Sequence, residues 1–506
     1  MDASFRRRTR FIADPVRRVL LGFWLVLAMW AGGVRAQPLP AAEPARLTLK
    51  QAIVQALDHN KSIKVEGFTR SIARAGMLEA RGRFEPALTF ARTYTEDQEA
   101  APGSSSALQR EKTDDYRLAL EGLTPWGMTY EFGGSTQHQR TAFNWMGGDY
   151  TTFGGVSLTQ PLLRGFGFGS SLYRVRLARA DRSISEWGFR QTVMTTVTRV
   201  VIGYSDLLLA HENLQIARRT RDLVAGLATS NARRFKAGSL SESDVIQARA
   251  QAAQREEAIL VAERAVRDAD NALRQLLGES RFSLKGPLLD IEPPEPSEPI
   301  VAAEEELSAA LARRPDYQGA LLDATKQRAT VSYERNQLLP QLDLVGSYGY
   351  VGRDQEFSTS RRQVTEQENR AYSVGVVVRV PLTFAEGRGR VQAARFRTKR
   401  AEMDIERLAQ EIALSITRAA GQIDTTRQRV TATEIAYELA SQALAGELKK
   451  LQAGTTTTFV VLNLQTTLAT IETNRARAKA DHRRAITLYE QEIGVTLTRH
   501  NIDLAH

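Results

Sequence analysis

The stretch Lys236-Ala237-Gly238-Ser239-Leu240 stands between two helical patterns, and it returns 216 residues later as Gln452-Ala453-Gly454-Thr455-Thr456. The same offset carries Leu277-Gly278 onto Ile493-Gly494. Working outward, Ala56-Leu57 followed by Pro86-Ala87-Leu88 reappears as Ala310-Leu311 followed by Pro340-Gln341-Leu342, an offset of 254 that also carries Tyr94 onto Tyr348. Gln160-Pro161-Leu162 falls on Val380-Pro381-Leu382 at an offset of 220. Recurrence in a fixed order marks a duplicated structural unit. The offset shrinks along the chain, which puts extra residues in the first copy between about 97 and 149 and a few more after Pro161.

Each copy reads as helix, strands, very long helix, turn, helix. The first predicts a helix over 48–83, strands between 87 and 160, a helix over 172–236, a turn at 237–242 and a helix over 243–277. The second predicts a helix over 304–338, strands at 341–350 and 371–380, a helix over 388–452, a turn, and a helix over 458–493. Pro287, Pro293, Pro294, Pro296 and Pro299 forbid a helix between the copies, so that region is a linker. Ile416, Ile423, Val430, Tyr437, Leu444 and Leu451 sit seven apart, and their counterparts are Val200, Leu207, Leu214, Arg221, Ala228 and Phe235. A 3.5-residue period packs helices as a left-handed coiled coil. An ordinary coiled-coil bundle would show the same heptads. Length favours another arrangement: about 65 residues make a staff of about 97 Å. The shorter helices are about half that, so a lower half (243–277) stacked on an upper half (48–83) matches one full staff. That is a way to build the wall of a long cylinder.

The strands alternate. Leu88, Phe90 and Tyr94 share one face, as do Tyr116, Leu118 and Leu120, then Met128, Tyr130 and Phe132, and Val156 and Leu158. In the second copy Leu342, Leu344, Tyr348 and Tyr350 oppose Gln341, Asp343, Ser347 and Gly349, and Tyr372, Val374, Val376, Val378 and Val380 oppose Ser373, Gly375 and Arg379. A two-residue period with aromatics near strand ends is the pattern of an outer-membrane barrel, although a half-buried soluble sheet alternates in the same way. Long polar loops at 97–113, 138–148 and 352–370 contrast with the tight Thr124-Pro125-Trp126-Gly127 turn, the usual barrel asymmetry. The count is four strands in the first copy and two in the second. Six cannot enclose a wide pore, so chains must pool them, and a trimer would supply 18.

Residues 1–36 read as a secretory leader: a basic start with seven Arg, an apolar run from about Val19 to Ala31, and Val34-Arg35-Ala36 before Gln37. A membrane anchor would need roughly 20 apolar residues. No other run is expected to span a bilayer as a helix, which leaves a closed barrel as the way into a membrane. Net charge is +10, of which the leader carries +5. The remaining basic residues alternate with acids on helix faces, which excludes a nucleic-acid patch. Cysteine is absent and the six His are scattered, so no thiolate or His metal site is expected. Gly165-Phe166-Gly167-Phe168-Gly169 mimics a dinucleotide loop, but Ser170 stands where the third glycine is required, so it is read as a joint between strand and helix. Glu304-Glu305-Glu306 is an acidic first turn. No catalytic set and no cofactor site can be argued. The organisation is therefore 1–36 leader, 37–86 N-terminal segment and short helix, 87–160 strands, 161–278 long helices, 279–303 linker, 304–340 second short helix, 341–381 strands, 382–494 long helices and 495–506 tail.

The repeat, the leader, Gln160-Pro161-Leu162-Leu163-Arg164-Gly165 leading into a long helix, and Ala237-Gly238-Ser239-Leu240 with Asp244-Val245 resemble the TolC family of outer-membrane efflux proteins. The resemblance covers essentially the whole mature chain. It implies an α+β membrane protein: a homotrimer whose single β-barrel, set in outer-membrane lipid, is continuous with an α-helical tunnel in the periplasm. It also implies a tip that docks a periplasmic adaptor (membrane fusion) protein and an inner-membrane transporter. Gly238, Ser239, Leu240, Gly454, Thr455 and Thr456 would form that contact. Glu242, Asp244, Val460 and Asn463 would stand at the tip constriction. The family's second-copy Asp ring falls on Val460 and Asn463, its Tyr partner falls on Leu451, and its plan has two strands per copy where this first copy has four. Glu242 and Asp244 are then the acids left near the tip. Asp244 has a second reading, as a helix cap. A structural coiled coil or adhesin with a barrel anchor is the competing function.

Overall fold

The computed structural model describes residues 46–100, 108–141, 149–238, 240–280, 282, 287–293 and 306–504. The leader, Ser239, Glu304, Glu305 and most of the linker lie outside the described residues.

The chain begins with α1 (Leu49–His59) and α2 (Lys61–Gly82), where the sequence predicts one helix. Asn60 makes the break. Its backbone is extended and its side chain accepts the N–H groups of Ser62 and Ile63 at 2.9 and 3.4 Å, capping α2. Four strands follow: β1 (Ala87–Ala100), β2 (Leu108–Leu123), β3 (Thr129–Arg140) and β4 (Asp149–Pro161). Then come α3 (Gly167–Ser171), the 64-residue α4 (Tyr173–Lys236) and α5 (Glu242–Leu276). The second half has α6 (Glu306–Arg313) and α7 (Pro315–Gln337), again two helices where one is predicted. Pro315 cannot donate and holds Arg314 extended, so the helix restarts with proline in its first turn. Next are β5 (Gln341–Asp354), α8 (Phe357–Thr365) in the predicted long loop, β6 (Arg370–Arg379), the 68-residue α9 (Ala385–Gln452), α10 (Thr458–Glu492) and α11 (Thr496–Arg499).

The helices form a slab one layer thick. In the half nearer the strands the order is α2, α4, α7, α9; in the far half it is α5, α4, α10, α9. The long helices α4 and α9 run through both halves, and the shorter ones meet end to end. At the first meeting the Asn60 amide donates to Leu276 O at 2.7 Å, and Gly278, at φ +84°, lets His59 pass where a Cβ would collide with its carbonyl. At the second, Arg314 donates to Glu492 O at 3.0 Å and to its carboxylate at 2.6 Å, beside Gly494 at φ +74°. The main core lies around the first meeting. Val193, Val197, Val200, Tyr204, Leu207 and Leu214 of α4 are buried with Ala52, Ile53 and Ala56 of α1 and Val266, Leu273 and Leu277 at the end of α5. Tyr204 Oη sits 2.7 and 2.6 Å from the carbonyls of Leu47 and Glu292, which ties the linker to this core. The predicted seam is thus buried at Val200, Leu207 and Leu214, half-buried at Arg221 and exposed at Phe235. Contrary to the sequence expectation, α4 contains one 18-residue window apolar enough to cross a membrane by composition, and half of it is packed inside the molecule.

The strands make one antiparallel sheet in chain order, β1 to β6. Cross-strand partners share a face, so the register fixes two surfaces. Leu88↔Leu120↔Phe132↔Val156↔Tyr348↔Tyr372 runs across one of them. The row Ala119↔Gly133↔Gly155↔Gly349↔Ala371 runs across the other. The strands are longer than predicted, up to 16 residues, and consume part of each loop.

Candidate functional site

Two regions can carry function: the far end of the helical slab and the sheet. At the far end α4 and α5 are joined by a turn in which Gly238, at φ +78°, donates to Phe235 O at 2.9 Å. Ser241 caps α5: its hydroxyl accepts the Asp244 N–H at 3.2 Å and donates to the Asp244 carboxylate at 2.6 Å. This corrects the second reading of Asp244, which is the third residue of the helix, and the cap is Ser241. Glu242 is exposed, Asp244 half-buried, and Leu240 half-buried. The α9–α10 turn is built alike. Gly454, at φ +77°, follows Ala453, and Thr455 N–H returns to Lys450 O at 3.0 Å, a helix terminus that needs a left-handed residue. Around both glycines a Cβ would meet nothing, so the turns project into open space.

The two turns are held level by packing behind them. Val224 and Ala248 cluster with Leu462, and Leu444 and Leu451 cluster with Val461. Leu451, where the family resemblance implies a tyrosine, is a core residue here. Val460 and Asn463 are exposed, on the side of α10 away from buried Val461 and Leu462. Among the described residues no hydrogen bond or ion pair links Glu242 or Asp244 to Val460 or Asn463.

One tip acid escapes the sequence reading. Glu447, on the last turns of α9, accepts the Thr456 hydroxyl at 2.5 Å and pairs with Lys450 at 3.2 Å. These bonds, that from Thr456 foremost, hold its carboxyl below the ordinary range. Glu242 and Asp244 are therefore not the only acids near the tip. Nothing local marks Glu447, since it lies seven residues before Gly454 inside a charged helix.

The sheet's first surface is apolar and bare. Val374 is 76% and Tyr372 80% exposed, with Leu88, Phe90, Leu118, Phe132, Leu344 and Val376 also uncovered. So large a contiguous apolar surface is foreign to a monomer in water. Tyr372, Val374, Val376 and Val378 carry it unbroken along β6, about 20 Å of strand at about 3.4 Å per residue, a large part of the height of an outer-membrane apolar band. Above it the surface turns polar, with Arg92 bound to Asp114 at 2.9 and 2.8 Å. There α8 lies on the sheet, seated where Gly154 and Gly352 lack a side chain: a Cβ would run into Val364 on one and the Ser360 carbonyl on the other. The opposite surface is small and polar. Ser347 bonds Ser373 at 2.8 Å, Arg117 bonds Glu131 at 3.0 Å, and the Phe153 ring lies over Gly155 and Gly349. Apolar outside and polar inside is what a wall between lipid and water requires.

Comparison with known proteins agrees with this geometry. A family model described as outer membrane efflux protein matches residues 52–279 and 307–490. The alkaline protease secretion protein AprF of Pseudomonas aeruginosa is 24% identical over 332 residues, 65% of this chain and 66% of AprF. The outer membrane protein TolC of Vibrio cholerae is 23% identical over 348 residues, 67% of this chain and 78% of TolC. The chain thus spans just under two thirds of AprF. In fold it is similar to the outer-membrane channel OprN, with a TM-score of 0.67 at 19% identity over 89% of this chain and 93% of that one. It is likewise similar to the Campylobacter jejuni CmeC outer membrane channel, with a TM-score of 0.69 at 15% identity over 90% of each.

Proposed function

Because this chain belongs to the outer membrane efflux protein family, we propose that it is the exit duct of a tripartite efflux or secretion system. It is a passive conduit whose three copies close into one barrel and one tunnel. It performs no chemistry; its substrates move through it.

One observation carries this reading. The sheet and the slab are both open at the same two margins. One margin is β1 with α2 and α5, the other β6 with α9. Both are lined by uncovered apolar side chains: Val65, Phe68 and Ile72 on α2, Ile246 and Leu260 on α5, and Phe396, Met403, Ile435 and Leu439 on α9. An open strand edge beside an exposed apolar helix face is a template for pairing. Joining the first margin of one copy to the second of the next is a head-to-tail contact, which closes into a ring when the rotation allows. The duplicated order of elements supports the same arrangement, since two like halves per chain and three chains make a regular circle. In that assembly the turns at Gly238 and Gly454, with Ser239, Leu240, Thr455 and Thr456, form the periplasmic tip. There an adaptor protein and, through it, an inner-membrane transporter would dock. Glu242 and Asp244 would then be repeated three times around the mouth.

Reconstitution in a planar bilayer tests the duct. The expected result is stepwise conductance from a threefold particle. A barrel-anchored adhesin would insert without conducting, and that result would end the proposal. Crosslinking of Leu240→Cys or Thr455→Cys to the adaptor tests the docking end, and equal crosslinking from Arg179→Cys, exposed far up α4, would refute it.

A further inference from the structure

The β2–β3 hairpin has no counterpart in the second copy. The offset of 254 aligns β1 with β5, and the offset of 220 aligns β4 with β6. In the second copy β5 pairs directly with β6, whereas β1 and β4 are separated by β2 and β3, paired in full register on both sides. The hairpin is therefore not an appendage. It takes up arc in the wall.

The widths show what that arc does. Strands about 4.8 Å apart, tilted by about 40°, each occupy about 6.3 Å of circumference. Four per chain would span about 25 Å and six span about 38 Å. The slab beneath is four helices wide, and helices pack about 8–10 Å apart, a span of about 32–40 Å. Six strands match the arc of the four helix axes, and the hairpin supplies about 13 Å of it per chain, taking three chains from twelve strands to eighteen. Resting on the duct reading above, we infer that this hairpin stands in the wall and widens the membrane barrel beyond the bore that twelve strands enclose. The lining then favours wide, hydrophilic, positively charged cargo.

The lining follows from the register. On the polar surface the hairpin presents Glu111, Asp115, Glu121 and Glu131 against one base, Arg117. Glu121 and Glu131 face each other directly across β2 and β3, and each is held in place, Glu121 by the Thr89 hydroxyl at 2.7 Å and Glu131 by Arg117. The hairpin thus adds a net charge of −3 to the inner wall per chain, and a low-dielectric wall of one sign raises the local concentration of ions of the opposite sign.

The chain has no cysteine, so one can be placed at will. Ser347→Cys puts a thiol on the inner surface and Val376→Cys puts one on the lipid face. Both are made in the full chain in lipid vesicles and treated with maleimide-tipped polyethylene glycols of graded width. The Ser347→Cys thiol is expected to react with polymers too wide for twelve strands, and Val376→Cys with none. Deleting residues 101 to 148, so that β1 pairs with β4, should slow the widest reactive polymer by about tenfold or more and leave small reagents unaffected. Exclusion of wide polymers from the intact barrel while small ones enter overturns the inference alone. Failure of small maleimides to reach Ser347→Cys overturns the duct itself. If the deleted chain does not assemble, the strand count of the intact barrel in lipid decides: eighteen upholds the inference, and twelve with the hairpin outside the wall overturns it. The E111Q/D115N/E121Q/E131Q variant should lose the excess rate of a cationic thiol reagent over an anionic one. An unchanged ratio refutes the acidic lining.

Discussion

Asn60→Ala is the sharpest test of how the half-length helices are joined. Two losses add at this residue. The α2 cap disappears, worth about 1 kcal/mol, and the Leu276 carbonyl, bonded at 2.7 Å in a site where Asn60 is 6% exposed, loses its donor. Leaving a buried polar group unpaired costs about 1–3 kcal/mol. Together they lower the free energy of local opening by about 2–4 kcal/mol, roughly a 30- to 700-fold loss of protection against amide exchange. Exchange is read by mass spectrometry on the assembled protein, over peptides that contain Ser62 and Ile63. Asn60→Asp keeps the cap acceptor but turns a carboxylate oxygen toward the Leu276 carbonyl, so it should keep the cap and show a loss at least as large as the second. Peptides from α10, tied at its own end by Arg314, serve as the internal control. Protection at Ser62 and Ile63 within a few-fold of the parent in Asn60→Ala would refute the claim that this side chain joins the halves.

The remaining predictions concern the tip and the wall. Gly238 and Gly454 need a left-handed backbone in open surroundings. Gly→Asn should therefore keep adaptor crosslinking, whereas Gly→Val, at about 1–2 kcal/mol of backbone strain, should weaken it. Glu447 titrates below the ordinary carboxylate range because Thr456 and Lys450 bond its ionised form. Its contribution is full above the unfolded value of about 4.3 and is lost as pH falls through the lowered native value. Protease sensitivity of the α9–α10 turn should accordingly rise on acidification, and Glu447→Gln should remove that pH dependence. Gly349→Leu should abolish trimers that resist detergent and heat on a gel, because a side chain there meets the Gly154 carbonyl and the Phe153 ring. Normal trimer yield would show that the wall can yield at that point.

The periodic features were legible and the joints were not. Heptads, strand alternation and the two glycine turns are patterns repeated along the chain, and α4, α5, α9 and α10 end within a few residues of where those patterns stop. The breaks at Asn60 and Arg314 are single residues inside continuous helical periodicity. Pro315 marks the second outright, yet the two sites share no side-chain chemistry. An amide reaches Leu276 in one half and a guanidinium reaches Glu492 in the other. Residues 254 apart do the same mechanical task with unlike groups, so identity between the copies could not reveal it. Glu447 and the seat of α8 were hidden for a different reason. Each depends on a partner brought near by folding: Thr456 across a turn, Gly154 across two strands.

The sequence did constrain the extra strands more tightly than a count conveys. α2 delivers the chain to the sheet and α4 takes it away, both in the same slab, so strands in each copy must be even in number. Antiparallel strands with a period of two also keep each residue's face when a whole hairpin is inserted. The apolar row survives across the insertion, from Leu88 through Leu120 and Phe132 to Val156. A single added strand would have stranded α4 on the wrong side of the bilayer, and a one-residue slip would have turned Glu121 and Glu131 toward lipid. Four is the next permitted number after two, and the tight turn at Thr124, closed by its bonds with Met128 at 2.8 to 3.0 Å, is what returns the chain at the slab end. That turn is also tied to the slab, where Trp126 O accepts from the Gly167 N–H at 3.0 Å and Thr124 O from the Ser171 hydroxyl at 3.3 Å, so lengthening it should loosen the joint between sheet and helices. Shortening β2 or β3 by one residue should disrupt the sheet itself, because every charge beyond the cut would change sides.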